Sequence, residues 1–146
     1  MWKYLCLSVL MAAPSAAADR PNLSGKWLLD VAHSQIRDSK LKTETLEIQQ
    51  NDDSIRISDD INTGGKDQKS EFRCPADGSM CSAKDLSVML YYDGAALIVV
   101  EMRQNNKIVI QKRLRLSDDG NALSINVSHV APAGMKDESL KFVKQP

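Results

Sequence analysis

Asn22-Leu23-Ser24-Gly25-Lys26-Trp27-Leu28-Leu29-Asp30 is the stretch on which the fold is decided. Gly25 stands one residue apart from Trp27, at the head of an alternating apolar segment. A glycine lets the backbone bend sharply where a strand enters a sheet, and an indole is large enough to plug one end of a closed sheet. The pair predicts that Trp27 to Val31 is the first strand of a small antiparallel barrel, with Trp27 as its structural anchor.

Upstream of this stretch, Met1 to Ala18 reads as a signal peptide. Lys3 supplies the charged start, Leu5 to Ala13 the apolar run, and Ala16-Ala17-Ala18 a small-residue cleavage site before Asp19. The run is too short to act as a membrane-spanning helix, so no stable membrane insertion is expected after cleavage. The expected organisation is therefore residues 1–18 as leader and 19–146 as one domain, exported to a periplasmic or extracellular setting. With Lys3 removed, 18 basic residues face 19 acidic ones, a net charge of −1. A nucleic-acid binder would show a basic excess, so none is expected as a partner.

Two cysteines remain after cleavage, Cys74 and Cys81, bracketing an Asp77-Gly78 turn. In an oxidising compartment they read as a local disulfide. The spacing is not that of a Cys-x-x-Cys redox pair, and no histidine lies near enough in sequence to complete a zinc site.

Downstream, alternating segments are separated by turn residues, the pattern of an all-β sandwich or barrel. Leu41 to Gln49 is expected as the second strand, with Leu46 and Ile48 on its apolar side. A loop at Gln50-Asn51-Asp52-Asp53 leads into Ser54 to Ser58, setting Ile48 opposite Ile55 and Leu46 opposite Ile57. Asn62 to Lys69 reads as a polar loop, Gln68 to Cys74 as a strand, and Ser139 to Lys144 as the closing strand. His33 to Ser39 holds one helical turn at most.

Between Leu86 and Val130 the turns fix a register. Asp93-Gly94 and Asn105-Asn106 read as two-residue turns, and Asp118-Asp119-Gly120-Asn121 as a four-residue loop. All three are even, so one face runs across four strands. Its rows are Tyr92, Ala95, Leu116, Leu123; Leu90, Leu97, Leu114, Ile125; Val88, Val99, Lys112, Val127; and Leu86, Glu101, Ile110, His129. Met89, Ile98, Val100 and Met102 are apolar residues on the outward side, lying either under the N-terminal segment or in a patch for a partner.

Gly25-Lys26-Trp27 resembles the Gly-x-Trp signature of lipocalins. Together with Phe72-Arg73-Cys74, Asp77-Gly78, Cys81, Tyr92-Asp93-Gly94, Lys112-Arg113-Leu114 and Leu116-Ser117-Asp118-Asp119-Gly120, it is similar to the motif order of small exported bacterial lipocalin-like proteins of the calycin type. The resemblance implies an antiparallel up-and-down β-barrel of eight to ten strands. It also implies a basic residue packed over the Trp, for which Arg113 and Arg115 are the candidates.

Catalytic constellations are missing from the sequence. There is no Gly-x-Ser-x-Gly elbow, phosphate-binding Gly loop or His-Glu-x-x-His, so no enzyme, metal or cofactor is expected. Asp52-Asp53, Asp59-Asp60 and Asp118-Asp119 read as turn chemistry rather than calcium sites. One set breaks the apolar rule of the inner face: Glu101, Lys112 and His129. They form either a self-neutralising group at the barrel mouth or the polar anchor of a pocket for a small apolar or amphipathic ligand. The corresponding function classes are a small-ligand binding protein and an interaction or inhibitor module with a filled barrel and a protein partner.

Overall fold

The computed structural model describes residues 20–146, so the expected leader lies outside the described residues. Ten antiparallel strands form one sheet: β1 Gly25–Leu29, β2 Thr43–Gln50, β3 Ile55–Asn62, β4 Asp67–Cys74, β5 Met80–Ala83, β6 Leu86–Asp93, β7 Ala96–Arg103, β8 Ile108–Leu116, β9 Ala122–Ala131 and β10 Glu138–Lys144. Their order is β4-β3-β2-β1-β10-β9-β8-β7-β6-β5, which makes the expected all-β up-and-down barrel. Between β1 and β2 lies a single 3-10 turn, Val31–His33, capped by the Asp30 side chain. No helix among the described residues is long and apolar enough to cross a membrane.

The side-chain period of two puts Leu46, Ile48, Ile55, Ile57, Phe72, Val88, Leu90, Val99, Leu114, Leu123, Ile125, Leu140 and Phe142 on the inner face, where they form one buried cluster. Trp27 belongs to it at 0% exposure, and its indole N–H donates to the Leu23 carbonyl at 3.1 Å. The base over the indole is Lys144 from the neighbouring strand, its Nζ 5.5 Å from the ring centroid. This corrects the expectation for Arg113, which instead pairs with Asp93 at 2.6 Å, and for Arg115, which is exposed. Gly25 has φ +148°, and a Cβ there would come within 2.9 Å of Lys144 Cε, so the glycine admits both the bend and the lysine.

Two hairpins sit two residues from the expected register. The turn after β6 is Gly94-Ala95, with Asp93 paired to Ala96 and Gly94 at φ +60° in its first central position. Leu90 therefore faces Val99, Val88 faces Glu101, and Ala95 leaves the inner face for the turn. Likewise Ile48 faces Ile57 rather than Ile55, because Asn51 stays paired to Ser54 and its side chain accepts from the Asp53 and Ser54 amides. A shift of two leaves every side chain on the same face. The Asn105-Asn106 turn has both residues at positive φ and sets Glu101 opposite Ile110 and Val99 opposite Lys112. β8 and β9 pair as expected from Leu116–Leu123 to Ile110–His129, and a bulge follows at Val109/Ile110. The strand β3 runs on to Asn62, so Asp59-Asp60 lies within a strand and not in a turn.

The ladder closes between β1 and β10 but not between β4 and β5, which end the sheet. One end of that seam is held covalently by Cys74–Cys81, with a Cα separation of 5.8 Å. The bond is thus a clasp on the barrel as well as a staple on a short loop. Replacing both cysteines by Ser is expected to lower stability by about 2–3 kcal/mol, the loop-closure value for so short a ring. Urea unfolding checks this, and an unchanged midpoint would show that the seam holds without the bond.

Candidate functional site

Four ionisable side chains interrupt the apolar lumen: Glu44 from β2, Asp59 from β3, Glu101 from β7 and Lys112 from β8. Their positions follow from pairing. Leu46 faces Asp59 while Glu44 faces Ile61, so Glu44 and Asp59 are diagonal neighbours across β2 and β3. Val99 faces Lys112 while Glu101 faces Ile110, so Glu101 and Lys112 are diagonal neighbours across β7 and β8. Diagonal residues on one face lie within reach of long side chains. The barrel wall brings the two diagonals to one cavity, roofed by Leu46, Ile57, Phe72, Val99 and Leu114 among others.

Glu101 is 6% exposed and saturated with cations. Its Oε1 accepts from Lys112 Nζ at 2.8 Å, and its Oε2 lies 3.6 Å from Arg103 at the rim. Burial works to raise its carboxyl pKa, but the charge and hydrogen bond of Lys112, with Arg103, overcome this and hold it below the usual range. For Lys112 burial acts against the charged form, and Glu101, Asp59 and Glu44 together outweigh it, so the ammonium is held more firmly than usual.

Glu44 and Asp59 are buried to a similar degree, at 8% and 7% exposure, but have no such cation. Among the described residues the one ion pair of Lys112 is with Glu101. Burial, then the charge of Asp59, push Glu44 up to about 8. Burial pushes Asp59 up to about 6, with Lys112 opposing and Glu101 adding to the effect. Both carboxyls thus hold their protons more tightly than usual, and Asp59 Oδ1 has no hydrogen-bond partner.

His129 faces Ile110 as the register requires, but it does not line this cavity. Its side chain is 5% exposed, and Nε2 lies 3.7 Å from Glu138 Oε1 on the neighbouring strand β10. The sequence-derived trio is thus a pair plus a separate histidine, and Glu44 and Asp59 are the members it missed. The signal for Glu44 was legible, since it shares the period-two face of Leu46 and Ile48. No three His, Cys, Asp or Glu side chains among the described residues converge closely enough to hold a metal ion.

The cavity is narrow. Atoms around it leave about 450 Å³ of space, part of it open to solvent, but only about 30 Å³ admits the centre of a water-sized molecule. Ser70 lines both this cavity and an outer groove of about 910 Å³, bounded by Lys69, Glu71, Lys84, Asp85, Leu86 and Arg103. That groove lies along the unpaired seam, away from the Cys74–Cys81 clasp. Asp59 pairs with Ser70 across β3 and β4, so one residue separates Asp59 from the groove at the seam.

The raised carboxyl groups have a consequence for stability. Folded Glu44 and Asp59 bind their protons more tightly than the unfolded chain does, so deprotonation favours unfolding as pH rises through about 6 and then about 8. Glu101 acts in the opposite sense and withdraws its contribution at low pH. Thermal unfolding is expected to show greatest stability in mildly acidic solution and a loss on the order of a few kcal/mol toward about pH 8.5. Glu44→Gln should flatten that loss; a wild-type midpoint that stays constant or rises over this range would contradict the assignment.

No family model matches the chain, and no curated protein matches it significantly. Solved structures do share its shape. A fatty acid transporter designated REP1-NXSQ aligns with a TM-score of 0.61 at 16% identity, covering 85% of this chain and 96% of its own. Fatty-acid-binding protein 1 of Echinococcus granulosus gives 0.58 at 10% identity, with 84% and 97% covered. A point mutant of the fluorescent protein UnaG gives 0.60 at 15% identity, with 84% and 96% covered. At these identities the likeness shows the fold alone, a ten-stranded antiparallel barrel.

Proposed function

We propose that this chain is an exported small-ligand binding barrel whose lumen takes the polar head of an amphipathic molecule at the Glu44–Asp59–Glu101–Lys112 cluster. The observation that carries the reading is Asp59, a carboxylate 7% exposed in an apolar lumen, with one oxygen unpartnered. Buried polar groups are almost always hydrogen-bonded, and one left open beside a cavity suits a group supplied from outside. The solved structures of this shape include a fatty acid transporter and a fatty-acid-binding protein, which supports small-molecule binding in such a lumen. Export is supported by the N-terminal sequence and by a cysteine pair placed to clasp the barrel.

The narrowness of the lumen favours a second reading, in which the barrel is filled and acts through its surface as an interaction or inhibitor module. Native mass spectrometry of protein purified from its own compartment separates the two. A bound small-molecule mass, released on denaturation, is expected. A bare chain, or one carrying only a second protein, would support the filled barrel and overturn the ligand reading.

A further inference from the structure

We propose that the lumen is built for a small organic cation, a protonated amine on a short apolar tail, and against the carboxylate of a fatty acid. This rests on the ligand-binding reading above and adds the sign of the ligand's charge. Three carboxylates, Glu44, Asp59 and Glu101, face one cavity whose single lining cation among the described residues is Lys112. Lys112 is already engaged by Glu101 at 2.8 Å, and Arg103 reaches the same carboxylate from the rim. An incoming carboxylate would find no free cation and would add a fourth negative group to a desolvated space.

What the cluster lacks is a positively charged donor. Asp59 Oδ1 is buried and unpartnered, and the neighbouring Glu44 is neutral only by holding a proton. An ammonium N–H placed at Asp59 supplies the missing hydrogen bond and replaces that proton's charge. A metal ion does not fit, since no three acidic or imidazole ligands among the described residues converge. The enclosed space at the polar end is water-sized, so a tail enters by displacing the apolar wall of Leu46, Ile57, Phe72, Val99 and Leu114. The outer groove reaches Ser70, opposite Asp59, so entry from that side requires Ser70 to move aside.

Binding is then linked to proton release. The groups facing the Glu44–Asp59 pair are Glu101 of β7, Lys112 of β8 and Glu138 of β10, with Asp60 adjacent in the chain. None of these supplies a free ammonium, so the proton lost from Glu44 is the one displaced by the ligand. Affinity for an amine should rise between mildly acidic and mildly alkaline solution.

Calorimetry on the mature protein, with matched linear amines, alcohols and carboxylates of about four to eight carbons, tests this. The amine is expected to bind at least about tenfold more tightly than the carboxylate, the factor one charge-assisted hydrogen bond supplies. Titrations in buffers of different ionisation enthalpy should show proton release. Asp59→Asn with Glu44→Gln, which removes buried charge without removing volume, should abolish the preference for the amine while the protein stays folded by circular dichroism. Equal or tighter binding of the carboxylate would overturn the charge assignment and leave the ligand reading standing. Failure of all three series to bind, with no ligand carried from the native source, would overturn both.

Discussion

Three carboxylates and one ammonium share a volume in which unpaired charge is costly, and the character of the lumen follows from how they divide it. Glu101 takes the available cations, Lys112 at 2.8 Å and Arg103 at 3.6 Å, and stays ionised. Glu44 and Asp59, on the other wall, have no ion-pair partner of their own, and burial raises both carboxyls. Replacing the cluster by apolar side chains would be no burden to a barrel of this kind, since buried ion pairs seldom add net stability over well-packed hydrophobes.

The scaffold that presents the cluster is stabilised elsewhere. Trp27 plugs one end, bonded to the Leu23 carbonyl and covered by Lys144, and the strands from β6 to β10 pack Leu, Ile, Val and Phe side chains behind it. The weak line is the seam between β4 and β5, where no ladder forms and Cys74–Cys81 clasps one end. The other end of the seam carries no such bond. That end carries the groove leading to Ser70.

Much of this was legible in the sequence, and the misses have physical reasons. Asn105-Asn106 and Asp118-Asp119-Gly120-Asn121 fixed the pairing of β7, β8 and β9, because Asn and Gly mark positive φ within narrow limits. Asp93-Gly94 misled by two residues, since Gly94 fills the first central position of its turn and not the second. Period-two alternation is blind to a slip of two, so the inner face survived while the partner of Glu101 changed from Leu86 to Val88. Asp59-Asp60 resembled turn chemistry because aspartate is depleted in strands. Once the strand is extended to Asn62, the face of Ile55 and Ile57 carries Asp59 inward beside Glu44, while Asp60 pairs with Lys69 outside. The four-residue β5 was too short to leave a periodic signal, so the seam was invisible in sequence.

The most direct test is a carbon-detected NMR titration of the side-chain carboxyl groups in the barrel of residues 20–146. Glu44 should titrate near 8 and Asp59 near 6, with each reporting the other's ionisation, while Glu101 titrates below the usual carboxylate range. Three independent titrations at ordinary carboxylate values would contradict a shared, desolvated lumen.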